Sequence, residues 1–578
     1  MRILLLVSAF NGLSQRAWDE LRRRGHHVTT TIAVSDDAVT DAVFRAQPDL
    51  ILGPYLKERV PERVWRRWRT IIIHPGPVGD RGPSALDYAI MDSAPVWGVT
   101  ALQATQEFDG GPVWAHREFP MPPEPMRKSA LYNGPVADAA IACILEVIDK
   151  ATDRGYVPTP LAAIGRPVPG TRSRPAMTQQ IRAFSWSDPA ADIVRRIRAA
   201  DGSPGVRTQI NGQKVHAFDA HIGGKLAAPT APGTVIGRHR NRLLVAAGDA
   251  SVWIGTLREP GGIKLPAAHV LPVAAPLVTD GPCDIRYRRR GPVGELTFDF
   301  YNGAAGVDQC RRLAQAIRAA RWQDTRVLVL RGGPEMFCHG IHLNEIEAAD
   351  NPATRAWENI KAINTVCRAL VTNSHQLTVA AFTGNAGAGG VMMALGADVV
   401  AARDGVVLNP YYDIGLYGSE LHTLTLPRRV GAGLARQLLD EKLPIGARLA
   451  AETGLVDLVG PGARDDFDSW LDDLADGCAD PVQHRAVVSA RDPLTKPIDY
   501  YETHELSHMA RDMFDNRHGF AEKRYAFTHK AGAGDITARL PPHRRADSRH
   551  ADRETRPSRC TDRGQIERAC CHACTGTP

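Results

Sequence analysis

The chain has 578 residues, 43% hydrophobic and 23% charged, with a net charge of +6. That length exceeds what one hydrophobic core organises and implies roughly three or four domains of ordinary globular composition. Much of the positive excess lies in an Arg-rich C-terminal tail, which excludes a strongly basic nucleic-acid face, and the scattered cysteines exclude a disulfide framework.

The opening run Met1-Arg2-Ile3-Leu4-Leu5-Leu6-Val7 is too short to span a bilayer and reads as a buried strand, not a signal peptide. No later run of transmembrane length is expected, so the chain reads as cytoplasmic, without a membrane partner. A helix over 14–24, a strand over 28–33, a helix over 36–45 and strands over 50–52 and 70–73 follow. This alternation predicts a parallel sheet with helices on its faces and ligands at the strand ends. At one such end stands His74-Pro75-Gly76-Pro77, followed by Arg81-Gly82-Pro83-Ser84, Gly98-Val99-Thr100 and Phe108-Asp109-Gly110-Gly111. A strand-end histidine and a loop aspartate can pair, the carboxylate orienting the imidazole and stabilising its charged form.

These segments resemble the folate-dependent formyltransferases, such as those acting on methionyl-tRNA and glycinamide ribonucleotide. The resemblance implies a Rossmann-like domain over 1–160, His74 and Asp109 as catalytic residues, and Arg81 and Gly82 as part of the site for 10-formyltetrahydrofolate. It departs at Ile72, where the family has an asparagine that helps hold an oxyanion; such a loss commonly costs on the order of 100-fold to 1,000-fold in rate.

Over 165–280 the pattern changes to a capped helix around 193–198 and then short strands, with Asn211-Gly212 as a hairpin turn. This unit resembles the OB-like C-terminal domain of methionyl-tRNA formyltransferase. An OB-type barrel binds many ligands, so no nucleic-acid partner follows from it.

Over 285–465 apolar strands at 296–300, 327–330 and 377–382 alternate with helices. Two of them lead toward glycine-rich turns, Phe337-Cys338-His339-Gly340-Ile341 and Gly384-Asn385-Ala386-Gly387-Ala388-Gly389-Gly390. Glycines between strand and helix let two backbone N–H groups converge on an acyl oxyanion. The pattern resembles the crotonase (enoyl-CoA hydratase and isomerase) superfamily. It implies Ile341 and Gly389 as the two donors, with Gly340 and Gly390 against coenzyme A. A hydratase has glutamates where this chain has Met392 and Tyr411, which argues against water addition. The remaining candidates for proton handling are Glu420, Tyr411 and Tyr417, with Tyr412 near them in sequence. Cys338 reads as a small buried filler.

Amphipathic helices are expected over 466–530 and disorder over 531–578. The pair Cys571 and Cys574 lacks a second ligand pair, and no metal is expected. The fold class is therefore multidomain α/β: a Rossmann-like formyltransferase domain, an OB-like β domain, and a crotonase-fold α/β domain with C-terminal helices.

The order of modules, together with Gly415-Leu416-Tyr417-Gly418-Ser419-Glu420, resembles a family of nickel–iron hydrogenase maturation factors. That resemblance implies formyl transfer from 10-formyltetrahydrofolate to the thiol of coenzyme A, then decarbonylation of formyl-CoA to carbon monoxide. It also implies maturation proteins that receive the product. An amine-directed formyltransferase joined to a separate acyl-CoA enzyme, and a non-catalytic maturation scaffold, are the alternatives.

Overall fold

In the computed structural model, the strands β1 (Arg2–Val7), β2 (His27–Ile32), β3 (Leu50–Gly53), β4 (Thr70–His74), β5 (Val96–Gln103) and β6 (Val113–Pro120) form one sheet. Its order is β2-β1-β3-β4-β5-β6. The structure describes residues 1–530 except Pro125, 165–167 and Asp492; the tail expected to be disordered, and Cys571 and Cys574 within it, lie outside the described residues. The chain divides into two units, Met1–Pro282 and a second beginning at Cys283. Central strand β1 is buried from Ile3 to Val7, as a strand covered on both faces must be.

The first sheet is mixed, which corrects the expectation of a parallel one. Strands β1 to β4 are parallel, but β5 runs antiparallel to both β4 and β6. The segment between β4 and β5, residues 75–95, carries the Ala85–Met91 helix. A parallel return needs a long crossover, which the 104–112 loop between β5 and β6 is too short to supply. This reversal brings Asp109 back beside the end of β4.

One helical run, Lys128–Thr152, is long and apolar enough to cross a membrane by length and composition, against the expectation of none. In the fold its second part, Ala137–Thr152, packs on β5 and β6, with Ile141, Ile144, Val147 and Ile148 buried. It is a core helix of this unit.

The second sheet of the unit is antiparallel, in the order Val206–Ile210, Gln213–Ile222, Ser251–Arg258, Arg242–Ala246, Val235–His239, with Lys264–Pro266 paired to Ser251–Arg258. Its first hairpin turns at Asn211 and Gly212, both at positive φ, 49° and 79°, as a two-residue turn matched to strand twist requires.

In the second unit Val293–Phe298, Val327–Arg331, Leu377–Phe382, Val399–Arg403 and Leu458–Gly460 are parallel neighbours. Successive side chains alternate between two cores. Leu328, Leu330, Ala380 and Phe382 face the larger one, and Val327, Val329, Leu377 and Val379 face the helix Arg464–Ala479 through Phe467 and Leu471. Burial on both faces explains the continuous apolar runs. The edge strand Ile285–Arg290, antiparallel to Val293–Phe298, has no apolar alternation to reveal it: its arginines are those of a charged sheet edge. The helix Ile498–Phe514 closes the larger core with Ile498, Met509 and Met513.

Candidate active sites

His74 ends β4 and is buried, and both of its ring nitrogens face carboxylates. Nε2 lies 2.9 Å from Asp80 Oδ2, and Nδ1 lies 3.6 Å from Asp109 Oδ2. Positive charge that develops on the ring in a reaction is thus met from both sides. The partner at hydrogen-bond distance is Asp80, which the sequence reading missed. Its only signal was an acid inside the turn between His74 and Arg81. Asp80 is 2% exposed, and its Oδ1 is buried with no hydrogen-bond partner among the described residues.

The other motif residues hold this group in place. Thr100 Oγ1 donates to Gly76 O at 2.8 Å and Trp97 Nε1 donates to Pro75 O at 2.9 Å, so the Gly-Val-Thr strand fixes the turn after His74. The Gly82 N–H donates to Asp109 Oδ2 at 3.1 Å, and Asp109 sits at φ 51°, a strained conformation for a residue with a side chain. Arg81 pairs with Glu107. The structure therefore gives Gly82 a part in positioning Asp109 and places the Arg81 side chain on the 104–112 loop. Ile72, two residues before His74, packs with the apolar cluster of Leu4, Val39 and Val43.

Gly76 has no room for a side chain: a Cβ would stand 2.5 Å from both His74 Nε2 and Asp80 Oδ2. Gly76→Ala is expected to separate this pair and reduce turnover at this site on the order of 100-fold. The thermal midpoint should hardly change, and comparing the two measurements checks it.

In the second unit the two glycine turns touch. A Cβ on Gly340 would lie 3.1 Å from Gly389 N. Among the described residues neither the Ile341 nor the Gly389 N–H has an acceptor; the latter opens the helix Gly389–Ala394, where N–H groups lack intrahelical partners. Gly340 has φ 85°, and Ala388 is held at φ 49°, strain of the kind stored at working sites. Gly390 packs on the Cys338 carbonyl. Cys338 Sγ accepts from Gly340 N at 3.3 Å, and burial pushes its thiol up to about 12.

Glu420 meets these turns. A Cβ on Gly389 would collide with Glu420 Oε1. Its other oxygen, Oε2, accepts from Tyr411 Oη at 2.8 Å and from Ser419 N at 3.0 Å. Oε1 has no hydrogen-bond partner among the described residues. Burial pushes this carboxyl up to about 7, against the lowering effect of the Tyr411 and Ser419 bonds and with a further rise from Glu505. Met392 is fully buried behind Gly389. Tyr417 is not brought onto Glu420. Its hydroxyl is 3.4 Å from His504 Nε2, and its ring stacks on His508 at 4.3 Å. Tyr412 instead reaches His339 Nδ1 at 3.2 Å, a ring that burial pushes down to about 4 and keeps neutral near pH 7. A cavity of about 690 Å³ lies against Tyr411, Tyr417 and His422, with Lys442 and Lys523 also in its wall.

Residues 176–272 match the family model described as formyl transferase, C-terminal domain, and residues 307–527 match that of enoyl-CoA hydratase/isomerase. The chain is 39% identical over 559 residues to hydrogenase maturation factor HoxX of Bradyrhizobium diazoefficiens, covering 94% of this chain and 97% of the relative. Methionyl-tRNA formyltransferase of Roseiflexus castenholzii is 29% identical over 192 residues, 32% of this chain and 58% of that protein. Among solved structures, HypX from Aquifex aeolicus in complex with tetrahydrofolic acid superposes with a TM-score of 0.88 at 35% identity, covering 95% of this chain and 99% of that one.

Proposed function

Because the chain belongs to the HoxX/HypX family of hydrogenase maturation factors, whose formyltransferase and crotonase modules it carries, we propose that the two sites act in sequence to make carbon monoxide. At the first, a formyl group passes from 10-formyltetrahydrofolate to the thiol of coenzyme A; at the second, formyl-CoA is split into carbon monoxide and coenzyme A. The product would be handed to the proteins that build the iron centre of a nickel–iron hydrogenase. The tetrahydrofolic acid bound in the Aquifex relative supports the folate assignment, and the imidazole between two carboxylates fits the proton traffic of formyl transfer.

His74, held by Asp80 and Asp109, takes the thiol proton as the S–C bond forms and returns a proton to N10 of the folate as the C–N bond breaks. A thiolate is a good nucleophile near neutral pH, which is compatible with an apolar Ile72 in place of an amide donor. At the second site Ile341 and Gly389 hold the formyl oxygen. Glu420 Oε1 removes the formyl hydrogen as a proton while the C–S bond breaks, the electron pair leaving on sulfur. Glu420 then gives the proton to the departing thiolate. Atoms balance, with formyl-CoA yielding carbon monoxide and the free thiol.

The observation that carries this reading is the open Glu420 oxygen at the double glycine turn, with methionine where a hydratase keeps a water-directing glutamate. Incubating the protein with formyl-labelled 10-formyltetrahydrofolate and coenzyme A, in the presence of a haem protein that traps carbon monoxide, is expected to give labelled, CoA-dependent carbonyl haem. Formate or a formylated amine as the labelled product would overturn it.

A further inference from the structure

Glu505 lies on the helix Ile498–Phe514, outside the segments that carry the crotonase motifs, and is 0% exposed. Its oxygens meet only donors. Oε1 accepts from Thr423 N at 2.8 Å and Thr423 Oγ1 at 2.6 Å, and Oε2 accepts from Leu421 N at 2.9 Å and Ser419 Oγ at 3.3 Å. The Thr423 and Leu421 N–H groups can only donate, so each oxygen of Glu505 has one obligate donor, as suits a carboxylate. The backbone it grips is the strained one: Glu420 and Leu421 stand consecutively at φ 60° and 57°, a conformation costing about 1–3 kcal/mol per residue that persists only where neighbours over-determine it. The same helix holds this loop at a second point, where Asp512 Oδ2 accepts from Tyr417 N at 2.7 Å. From the opposite side Asn364 Oδ1 accepts from Glu420 N at 3.0 Å.

We infer that Glu505 is a positioning residue for the second site: it clamps the 419–423 turn so that Glu420 Oε1 faces the Gly340 and Gly389 turns, and in its ionised form its negative charge strengthens Glu420 as a proton acceptor. The inference rests on the reading of Glu420 as the base. The groups facing Glu420 are Tyr411, Glu505 and the buried thiols Cys310, Cys338 and Cys367. Those facing Glu505 are Thr423, Ser419, Tyr411, Tyr417, Cys367 and His422, whose Nδ1 is 3.5 Å from Oε1. Burial pushes His422 down to about 4, so near pH 7 it brings no positive charge to offset the two acids. Burial also raises Glu505 to about 7 while its four donors act in the opposite direction. The negative charge of Glu505 adds to the rise of Glu420, so the two carboxyls are expected to titrate together.

The test follows carbon monoxide release from supplied formyl-CoA against pH in the full-length wild type and in Glu505→Gln. The amide sets a donor against one of the donors of the turn, so the plateau should fall about tenfold or more. With one like charge gone, the rising limb should move to lower pH by roughly one unit. A limb that stays in place overturns the inference, whatever the plateau, because a merely structural loss scales the rate equally at every pH. Glu505→Asp, which keeps the charge, should leave the limb where it is in the wild type, and a limb displaced as in Glu505→Gln counts against the inference. If Glu505→Gln does not fold, infrared titration of the carboxyl stretch in Glu420→Gln carries the test. Glu505 should then titrate in one step below the upper step of the wild-type pair, and an unshifted midpoint refutes the coupling. Persistent carbon monoxide release in Glu420→Gln would instead sink the reading of Glu420 itself, a different result from an unmoved limb in Glu505→Gln.

Discussion

Replacing Glu420 with glutamine is expected to stop carbon monoxide release while formyl transfer continues, so that formyl-CoA accumulates. The amide is nearly isosteric and can still bond Tyr411, but it has no basic oxygen to turn toward Gly389. Loss of a positioned general base costs on the order of 100-fold to 10,000-fold. The wild type carries a matching signature. Burial holds the Glu420 carboxyl at about 7, and the base is the ionised form, which grows as pH rises. Release should therefore climb through pH 7, level off above it, and fall about tenfold per unit well below it. Chromatography of the CoA thioesters alongside carbonyl-haem absorbance measures both halves at once, and undiminished release from the variant would remove Glu420 from the mechanism.

The reciprocal experiment is His74→Ala. Formyl transfer should drop on the order of 100-fold to 10,000-fold, while formyl-CoA added directly is still split at the wild-type rate. Within the same site Asp80→Asn should cost more than Asp109→Asn, because Asp80 is bonded to the ring at 2.9 Å and Asp109 stands 3.6 Å away. Equal losses would mean that both carboxylates act only through the overall charge of the site. Retained transfer in His74→Ala would exclude the ring as the proton carrier.

Much of this arrangement was legible in the chain because the motifs encode turns. Gly76, Gly340, Gly389 and Gly390 stand where a Cβ meets a functional atom or a neighbouring turn, and such requirements leave glycines at fixed places. The β1 to β4 strands were legible as apolar runs. The direction of β5 was not, because strand sense is set by how the connecting segment packs rather than by the residue types of the strand. Asp80 and Glu505 were missed for related reasons. Asp80 is carried onto His74 only by the fold of the turn between them, and Glu505 reaches the residues it serves only once its helix packs against the 419–423 turn. Glu505 did leave a trace, as an acid in line with Ile498, Met509 and Met513 on the buried face of its helix. Tyr417 shows the converse: close to Glu420 in sequence, it points to His504 and His508 instead, because Gly418 and the strained Glu420 turn the chain between them.

The thiol behind the Gly340 turn bears on how such a site survives its own chemistry. A formyl thioester is an acylating agent, and a cysteine beside it would ordinarily be the first group modified, leaving a dead acyl-enzyme. Burial lifts Cys338 to about 12, which near neutrality holds it as the thiol and not the thiolate, the form that attacks acyl groups. The formyl group then stays on its carrier. Burial thus spares this thiol the acylation that an exposed cysteine beside a thioester would undergo.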